Sequence, residues 1–232
     1  MKIHRFIVDK DLYLGNFTVS DKEIVNQITK VLRLKQGDFI LLSDGKKEEA
    51  KAQITKILKG GLEVEILDVF VNKNEPSVNV ILYCAMLKKE NFELVVQKAT
   101  EVGVKEIVPV ITKRTVKTGF KKDRLEKIIK EACKQSGRGM IPKLHDPVGF
   151  EDAVKNAGDQ NLFFDSSGAK LQTTHYKLQT INVWIGPEGG WDESELNLAK
   201  ESGFKITSLG NLILRAETAA IISSYIVSRA KL

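Results

Sequence analysis

The chain has 232 residues, of which 42% are hydrophobic and 28% are charged, with a formal net charge of +6. This composition is enough for one large folded domain or two, and it excludes an intrinsically disordered chain. No apolar run is long enough to span a bilayer and no signal region follows the N-terminus, so we expect a cytoplasmic protein without membrane contact. Cys84 and Cys133 are isolated and the three histidines are scattered, which predicts no metal site.

The positive charge is concentrated in one segment. Residues 113–143 contain 11 Lys and Arg against 3 Asp and Glu, whereas residues 1–72 contain 12 against 11. Such a local excess creates a field that attracts phosphates and favours a nucleic-acid partner. A solvated helix face explains the same charges equally well.

The first 70 residues predict a small β-barrel interrupted by one helix. Short β-type runs alternate with turn signals at residues 3–8, 39–43, 50–58 and 62–70. Ser20 is the expected N-cap of the helix, with Glu23 completing a capping box. Residues 72–77 are polar, contain a proline and lack periodicity, so we place a domain boundary there, between domains 1–72 and 73–232.

Beyond that boundary, strands alternate with helices. Strands are expected at 78–87, 106–111, 162–164, 181–185 and 204–208, and helices at 92–100, 123–135, 153–156, 192–200 and 217–229. Asp192 and Glu195 form a second capping box, and Gly103, Gly137 and Gly203 are expected to end helices. This order predicts a parallel sheet covered by helices. The last helix is apolar over more than one face, which predicts a homodimer or full burial within one chain.

Two glycine-rich turns, each directly after a predicted strand, are the most informative features. The first reads Ile-Gly-Pro-Glu-Gly-Gly-Trp at 185–191, and the second reads Leu-Gly-Asn-Leu-Ile-Leu-Arg-Ala-Glu-Thr-Ala-Ala at 209–220. Glycines let a ligand lie against bare backbone, which suits a flat adenine and a ribose. The first turn alone could be a mere strand-to-helix connection, and the chain lacks the P-loop and Rossmann motifs.

With these motifs the sequence resembles the SPOUT superfamily of RNA methyltransferases, specifically the bacterial 16S rRNA uridine-N3 methyltransferase family, over nearly its whole length. The resemblance implies an α/β fold in which a small PUA-like, RNA-binding β-barrel domain (1–72) precedes a SPOUT methyltransferase domain (73–232). It also implies a trefoil-knotted parallel sheet that binds S-adenosyl-L-methionine. The partners implied are 16S rRNA of the small ribosomal subunit and a second copy of the chain.

The same resemblance implies the site residues. Those expected to bind the cofactor lie in three loops and the helix after them: Phe164, Asp165, Ile185, Gly186, Pro187, Glu188, Gly189, Gly190, Leu209, Gly210, Leu212, Leu214 and Thr218. Arg215 is expected to stabilise the anion formed when uridine N3 loses its proton. Glu217 is expected to orient Arg215 or accept that proton, or else to stabilise the start of the helix.

Five basic residues in family-like stretches are expected to contact RNA: Arg5, Arg33, Lys88, Arg114 and Arg138. For the last three, plain surface charge is the alternative. The expected activity is methylation of N3 of a specific uridine in 16S rRNA. Two alternatives are ribose 2′-O methylation and a non-catalytic, RNA-binding role in ribosome assembly.

Overall fold

The computed structural model describes residues 3–116, 119–172 and 179–230. The chain divides into two compact units. The first holds the chain up to Glu75 together with Cys133–Ile141, and the second holds Pro76–Ala132 and everything from Pro142 onward. Within the described ranges, no helix is both long and apolar enough to cross a membrane.

The first unit is built on one five-stranded sheet. Its strands are β1 (His4–Ile7), β2 (Gly15–Val19), β3 (Phe39–Ser43), β4 (Glu48–Leu58) and β5 (Gly61–Val71), in the order β1-β3-β4-β5-β2. β1 runs parallel to β3, and the other neighbours are antiparallel. Alternate side chains such as Ile40, Leu42 and Ile54 are buried in one core, which is the period-2 pattern that predicted these strands. β2 was not predicted.

A short helix follows β2, and its predicted cap was wrong by one residue. α1 (Lys22–Asn26) continues directly into one π-helical stretch, Gln27–Val31. The N-cap is Asp21, not Ser20, because the Asp21 carboxylate accepts the backbone N–H groups of Glu23 (2.8 Å) and Ile24 (3.0 Å). Aspartate and serine are about equally good caps, so the pattern could not separate two adjacent candidates.

The segment Cys133–Ile141 is held in the first unit by side chains around residue 74. Asn72 and Asn74 both donate from Nδ2 to the Gly137 carbonyl, at 3.1 and 2.9 Å. One carboxylate oxygen of Glu75 accepts the backbone N–H groups of Gly139 and Met140, both at 3.1 Å. These bonds satisfy backbone groups that a turn would otherwise leave unpaired.

The second unit contains a seven-stranded sheet in which every recorded pairing is parallel, as predicted. Its order is β12-β10-β11-β6-β7-β8, and β9 also pairs with β7. The strands are β6 (Asn79–Ala85), β7 (Glu106–Ile111), β8 (Lys143–Leu144), β9 (Val148–Gly149), β10 (Asn161–Lys170), β11 (Thr180–Ile185) and β12 (Lys205–Ser208). Strand order and register do not define how a chain threads, so the knot stays a prediction.

Five helices accompany this sheet: α2 (Lys89–Glu101), α3 (Lys122–Ser136), α4 (Phe150–Lys155), α5 (Glu193–Glu201) and α6 (Ala216–Ser228). An aromatic cluster fills part of the core. The Tyr83 and Trp184 rings stack at 4.1 Å, and the indole N–H of the fully buried Trp184 donates to the Asn161 side chain at 2.9 Å. The strands that lead into the site therefore pack against a dense aromatic core.

Candidate active site

A cavity of about 630 Å³ opens beyond the ends of β6, β11 and β12, next to Phe164 and the two residues that follow it in β10. Carboxyl ends of parallel strands are the usual place for ligands in open α/β sheets, and the volume lies in the range of about 300–1,000 Å³ typical of small-molecule sites. Its lining comes from three loops, from α6 and from the start of α2: Lys88, Asn91, Phe164, Asp165, Ser166, Ile185, Gly186, Pro187, Glu188, Gly189, Gly190, Trp191, Ser208, Leu209, Gly210, Leu212, Ile213, Leu214, Arg215, Ala216, Glu217 and Ala219.

The first loop is a bulge within β10. Thr207 of β12 is the register partner of both Phe164 and Ala169, so residues 165–168 leave the ladder and return to it. At Gly168 the two strands come so close that a Cβ atom would lie 2.5–2.7 Å from the Thr207 backbone. Asp165 closes the loop by accepting the Ser167 backbone N–H (2.9 Å) and hydroxyl (2.6 Å). A glycine and a local hydrogen-bonded turn therefore shape this loop.

The second loop depends on Trp191. Its indole N–H donates to the Phe164 carbonyl at 3.0 Å, and its ring stacks on Phe163 at 4.2 Å. Gly186 packs against this ring so closely that a Cβ would lie 3.0 Å from it. Gly190 has a φ of +71° and donates its N–H to the Pro187 carbonyl at 2.9 Å. Trp191 thus joins the second loop to the strand that carries the first.

The third loop leads from β12 into α6. Gly210 has a φ of +125°, a backbone conformation that favours glycine. Leu212 and Ile213 follow and are 83% and 95% exposed, which is unusual for two adjacent aliphatic residues. Arg215 is the N-cap of α6, and its carbonyl accepts the Ala219 N–H at 2.8 Å. Its side chain is exposed and lines the cavity.

The charged groups of the cavity differ in their surroundings. Glu188 is exposed and accepts the Lys88 backbone N–H at 3.1 Å. Glu217 is only 7% exposed, and its Oε2 atom is buried without a hydrogen-bond partner among the described residues. Burying a carboxylate oxygen without a hydrogen-bond donor costs free energy of folding, so a ligand that donates a hydrogen bond to Glu217 would be stabilised.

The loop after β7 is attached to the start of α5. The predicted capping box of α5 is confirmed, since Glu195 accepts the Asp192 backbone N–H at 2.9 Å. The other oxygen of Glu195 accepts the Lys113 backbone N–H at 2.8 Å. Arg114 is thereby held beside the second loop, where its guanidinium donates to the Gly189 carbonyl at 2.9 Å.

Almost all residues expected at the cofactor site from the sequence line this one cavity, together with Arg215, Glu217 and Lys88. Thr218 does not line it, because each helical residue is turned by about 100° from its neighbour and Thr218 follows the inward-facing Glu217. Seven lining residues were not predicted from the sequence: Asn91, Ser166, Trp191, Ser208, Ile213, Ala216 and Ala219. All of them except Asn91 lie in or beside the motifs, so their closeness to the motifs in sequence could have identified them.

Two of the arginines expected to contact RNA are paired inside the first unit. Arg5 donates to the Glu49 carboxylate at 2.8 Å, and Glu49 is 2% exposed. The Arg138 side chain is 6% exposed and pairs with Glu75 at 2.8 Å. Arg33 is exposed, with a φ of 54°. RNA contacts by the partly buried Arg5 and the buried Arg138 would require these pairs to open, and they stay predictions.

The basic segment is partly neutralised by neighbouring acids. Lys122 pairs with Asp146 at 2.8 Å, and Arg124 pairs with Glu93. Hydrogen bonding to Arg124 lowers the pKa of the Glu93 carboxyl. Lys117 lies outside the described residues. The local positive field is therefore weaker than the residue count suggests.

Comparison with known proteins covers both units. A family model described as an RNA methyltransferase domain matches residues 73–228, and one described as an RNA methyltransferase PUA domain matches residues 20–67. Among curated relatives, Ribosomal RNA small subunit methyltransferase E of Mesomycoplasma hyopneumoniae is 31% identical over 94% of this chain and 96% of its own length. The Synechocystis protein of the same name is 32% identical over 86% of this chain and 68% of its own.

Solved structures agree with these matches. Ribosomal RNA small subunit methyltransferase E from Neisseria gonorrhoeae, bound to S-adenosyl methionine, has a TM-score of 0.90 at 31% identity, covering 96% of this chain and 95% of that one. A Legionella pneumophila protein in complex with the same cofactor has a TM-score of 0.88 at 30% identity, covering 100% and 99%. The resemblance stated from the motifs is confirmed: the chain belongs to the family of ribosomal RNA small subunit methyltransferases E.

Proposed function

We propose that this chain transfers a methyl group from S-adenosyl-L-methionine to N3 of a specific uridine in 16S rRNA of the small ribosomal subunit. The observation that carries the proposal is the single cavity enclosed by the three loops. Its walls combine apolar side chains such as Ile185 and Leu209, which suit an adenine, with bare glycine backbone.

The buried acceptor in this cavity fits the cofactor chemically. S-adenosyl-L-methionine has ribose hydroxyls, an ammonium group and a sulfonium, all of which favour a nearby carboxylate. Glu217 offers a carboxylate that no described residue bonds, and Asp165 and Glu188 add acidic groups to the lining. When bound, the cofactor supplies a methyl carbon made electrophilic by its positively charged sulfur.

Arg215 is proposed as the catalytic residue that acts on the uracil. Its side chain is exposed and lines the cavity, so its guanidinium can donate to a uracil carbonyl oxygen. Loss of the N3 proton leaves a negative charge spread over N3 and both carbonyl oxygens, and a fixed cation stabilises that charge. For Glu217, three roles stay proposals: orienting Arg215, accepting the N3 proton and stabilising the start of the helix.

RNA contacts are proposed for residues of each predicted domain, 1–72 and 73–232. Lys88 lines the cavity and Arg114 lies beside it, so both can bind phosphates next to the target base. Arg33 is the exposed candidate of the PUA-like domain. A ribosomal RNA substrate implies that the protein works in the cytoplasm.

A homodimer is proposed on the basis of α6. This helix buries small residues such as Ala220 and Ser224 but leaves Ile222 and Tyr225 38% and 51% exposed. These exposed side chains favour the homodimer over full burial within one chain, the alternative interpretation of the apolar surface of α6. A second copy that covers these side chains would remove apolar area from water. A light-scattering mass equal to one chain at micromolar concentration would contradict the dimer.

The test of the proposed chemistry is Arg215→Ala, with Lys200→Ala as a matched control. Lys200 is exposed on α5 and does not line the cavity, so its loss removes the same charge from the same unit. We expect Arg215→Ala to lower the methylation rate at least about tenfold, as loss of one stabilising donor typically does, while calorimetry still detects cofactor binding. Full activity of Arg215→Ala would remove this assignment, and absence of cofactor binding by the unaltered chain would favour the non-catalytic alternative.

A further inference from the structure

The cavity contains more acidic than basic side chains. Asp165, Glu188 and Glu217 face it, against Lys88 and Arg215. A formal excess of one negative charge favours a cationic ligand over a neutral one of the same shape. The inference below rests on the proposed function, because it concerns the two forms of its cofactor.

Glu217 differs from the other two acids because one of its carboxylate oxygens has no hydrogen-bond partner among the described residues. Asp165 accepts two hydrogen bonds from Ser167, and Glu188 is exposed and accepts the Lys88 N–H. Glu217 is 7% exposed, and no described residue bonds its Oε2 atom. It lies in the first turn of the thirteen-residue helix α6, where the helix dipole favours a negative side chain. Its charge acts where little water screens it.

We propose that Glu217 is a specificity-determining residue that makes the cavity prefer S-adenosylmethionine over S-adenosylhomocysteine. The two ligands differ by one methyl group and by the positive charge on sulfur. On transfer, the N3 proton passes to solvent water, the bond from sulfur to the methyl carbon breaks with its electron pair left on sulfur, and the nitrogen's electron pair forms the new bond to the methyl carbon. The sulfur becomes neutral, the attraction to Glu217 is lost, and the product is released more easily.

The preference is large enough to measure. A negative unit charge several ångströms from a sulfonium, in a site that water screens only partly, raises the affinity for the cationic ligand by about tenfold or more. An exposed carboxylate in the same cavity has a smaller effect because water screens it. Glu188→Gln is therefore the matched control for Glu217→Gln, since both changes remove one negative charge and keep the shape of the side chain.

The experiment is calorimetric titration of the full chain with three ligands: S-adenosylmethionine, S-adenosylhomocysteine and sinefungin, in which a carbon bearing an ammonium group replaces the sulfonium. We expect the unaltered protein to bind the two cationic ligands about tenfold more tightly than S-adenosylhomocysteine. In Glu217→Gln, the dissociation constants of all three ligands should lie within about twofold of one another, mainly because the two cationic ligands bind more weakly. Glu188→Gln should keep most of the preference for the cationic ligands. Should Glu217→Gln fail to fold, Glu217→Ala removes the same charge with a smaller side chain.

The outcomes separate this inference from the proposed function. Equal binding of the three ligands by the unaltered protein overturns the inference and leaves the methyltransferase proposal intact. A preference that survives in Glu217→Gln also overturns it, and a lower methylation rate in that variant would then assign Glu217 to proton removal. Failure of every ligand to bind the unaltered protein would refute the proposed function itself.

Discussion

Gly168→Ala perturbs the close strand contact that shapes the first loop of the cavity. The added Cβ would lie 2.5 Å from the Thr207 backbone nitrogen, and it would need to move to 3.4 Å or more to reach ordinary contact. The obstacle is backbone, so no side-chain rotation relieves it. Thr207 is fully buried and its hydroxyl donates to the Ala169 carbonyl at 3.0 Å, which ties β12 to the far end of the bulge.

The expected cost follows from this geometry. Overpacking a tight site costs about 1–3 kcal/mol, and a clash with backbone belongs at the upper end. For a chain of this size each kcal/mol lowers the melting temperature by about 2–4 °C, so we expect a decrease of roughly 4–12 °C. Because residues 165–168 must shift with β10, the affinity for S-adenosylmethionine should also fall.

Gly149→Ala is the matched control for this change. A Cβ at Gly149 meets nothing within 4 Å, and its φ of −64° suits alanine. As Gly149 is the N-cap of α4, the change should cost less than about 1 kcal/mol. The assays are thermal melting by circular dichroism and calorimetric titration of the cofactor. If the two variants have the same melting temperature and bind the cofactor with the same affinity, the close approach of β10 and β12 does not shape the loop.

Three further predictions concern the interior. Trp191→Phe removes the hydrogen bond from the second loop to the Phe164 carbonyl of β10. We expect the free energy of unfolding, measured by chemical denaturation, to fall by about 1 kcal/mol and the cofactor to bind more weakly. Unchanged cofactor binding would contradict the linking role of Trp191. Glu75→Ala removes the carboxylate that pairs with the buried Arg138 and accepts two backbone N–H groups. We expect the free energy of unfolding to fall by about 3–5 kcal/mol. A decrease below about 1 kcal/mol would show that the pair does not stabilise the fold. Burial raises the pKa of both the Cys84 and Cys133 thiols, that of Cys133 to about 11, so a disulfide reagent at pH 8 should label them slowly until the chain unfolds, and rapid labelling of the native protein would refute this. Since an unfolded thiol ionises near its ordinary pKa of 9.0 while the folded thiol keeps its proton, these groups should lower stability as pH rises above about 9.

Local sequence signals predicted the elements and their order well. Gly103, Gly137 and Gly203 were expected to end helices, and all three have a positive φ there. The capping box of Asp192 and Glu195 was also confirmed. These features depend on a few neighbouring residues, so the sequence carries them directly.

Features that depend on contacts distant in sequence could not be predicted in this way. The bulge at residues 165–168 follows from the close approach of Gly168 to Thr207, which lies 39 residues further along the chain. Trp191 joins two loops of the cavity but was not among the site residues predicted from the sequence. Arg138 was expected to contact RNA, but its side chain is only 6% exposed and pairs with Glu75. No periodicity encodes such pairings.

The most direct measurement is the position of the transferred methyl group. The purified chain would be incubated with isotope-labelled S-adenosylmethionine and with unmethylated small ribosomal subunits, or with naked 16S rRNA, and the nucleosides would be analysed by mass spectrometry. We predict label on N3 of a single uridine of 16S rRNA. Label on a ribose 2′ oxygen, or no label although the cofactor binds, would contradict this account.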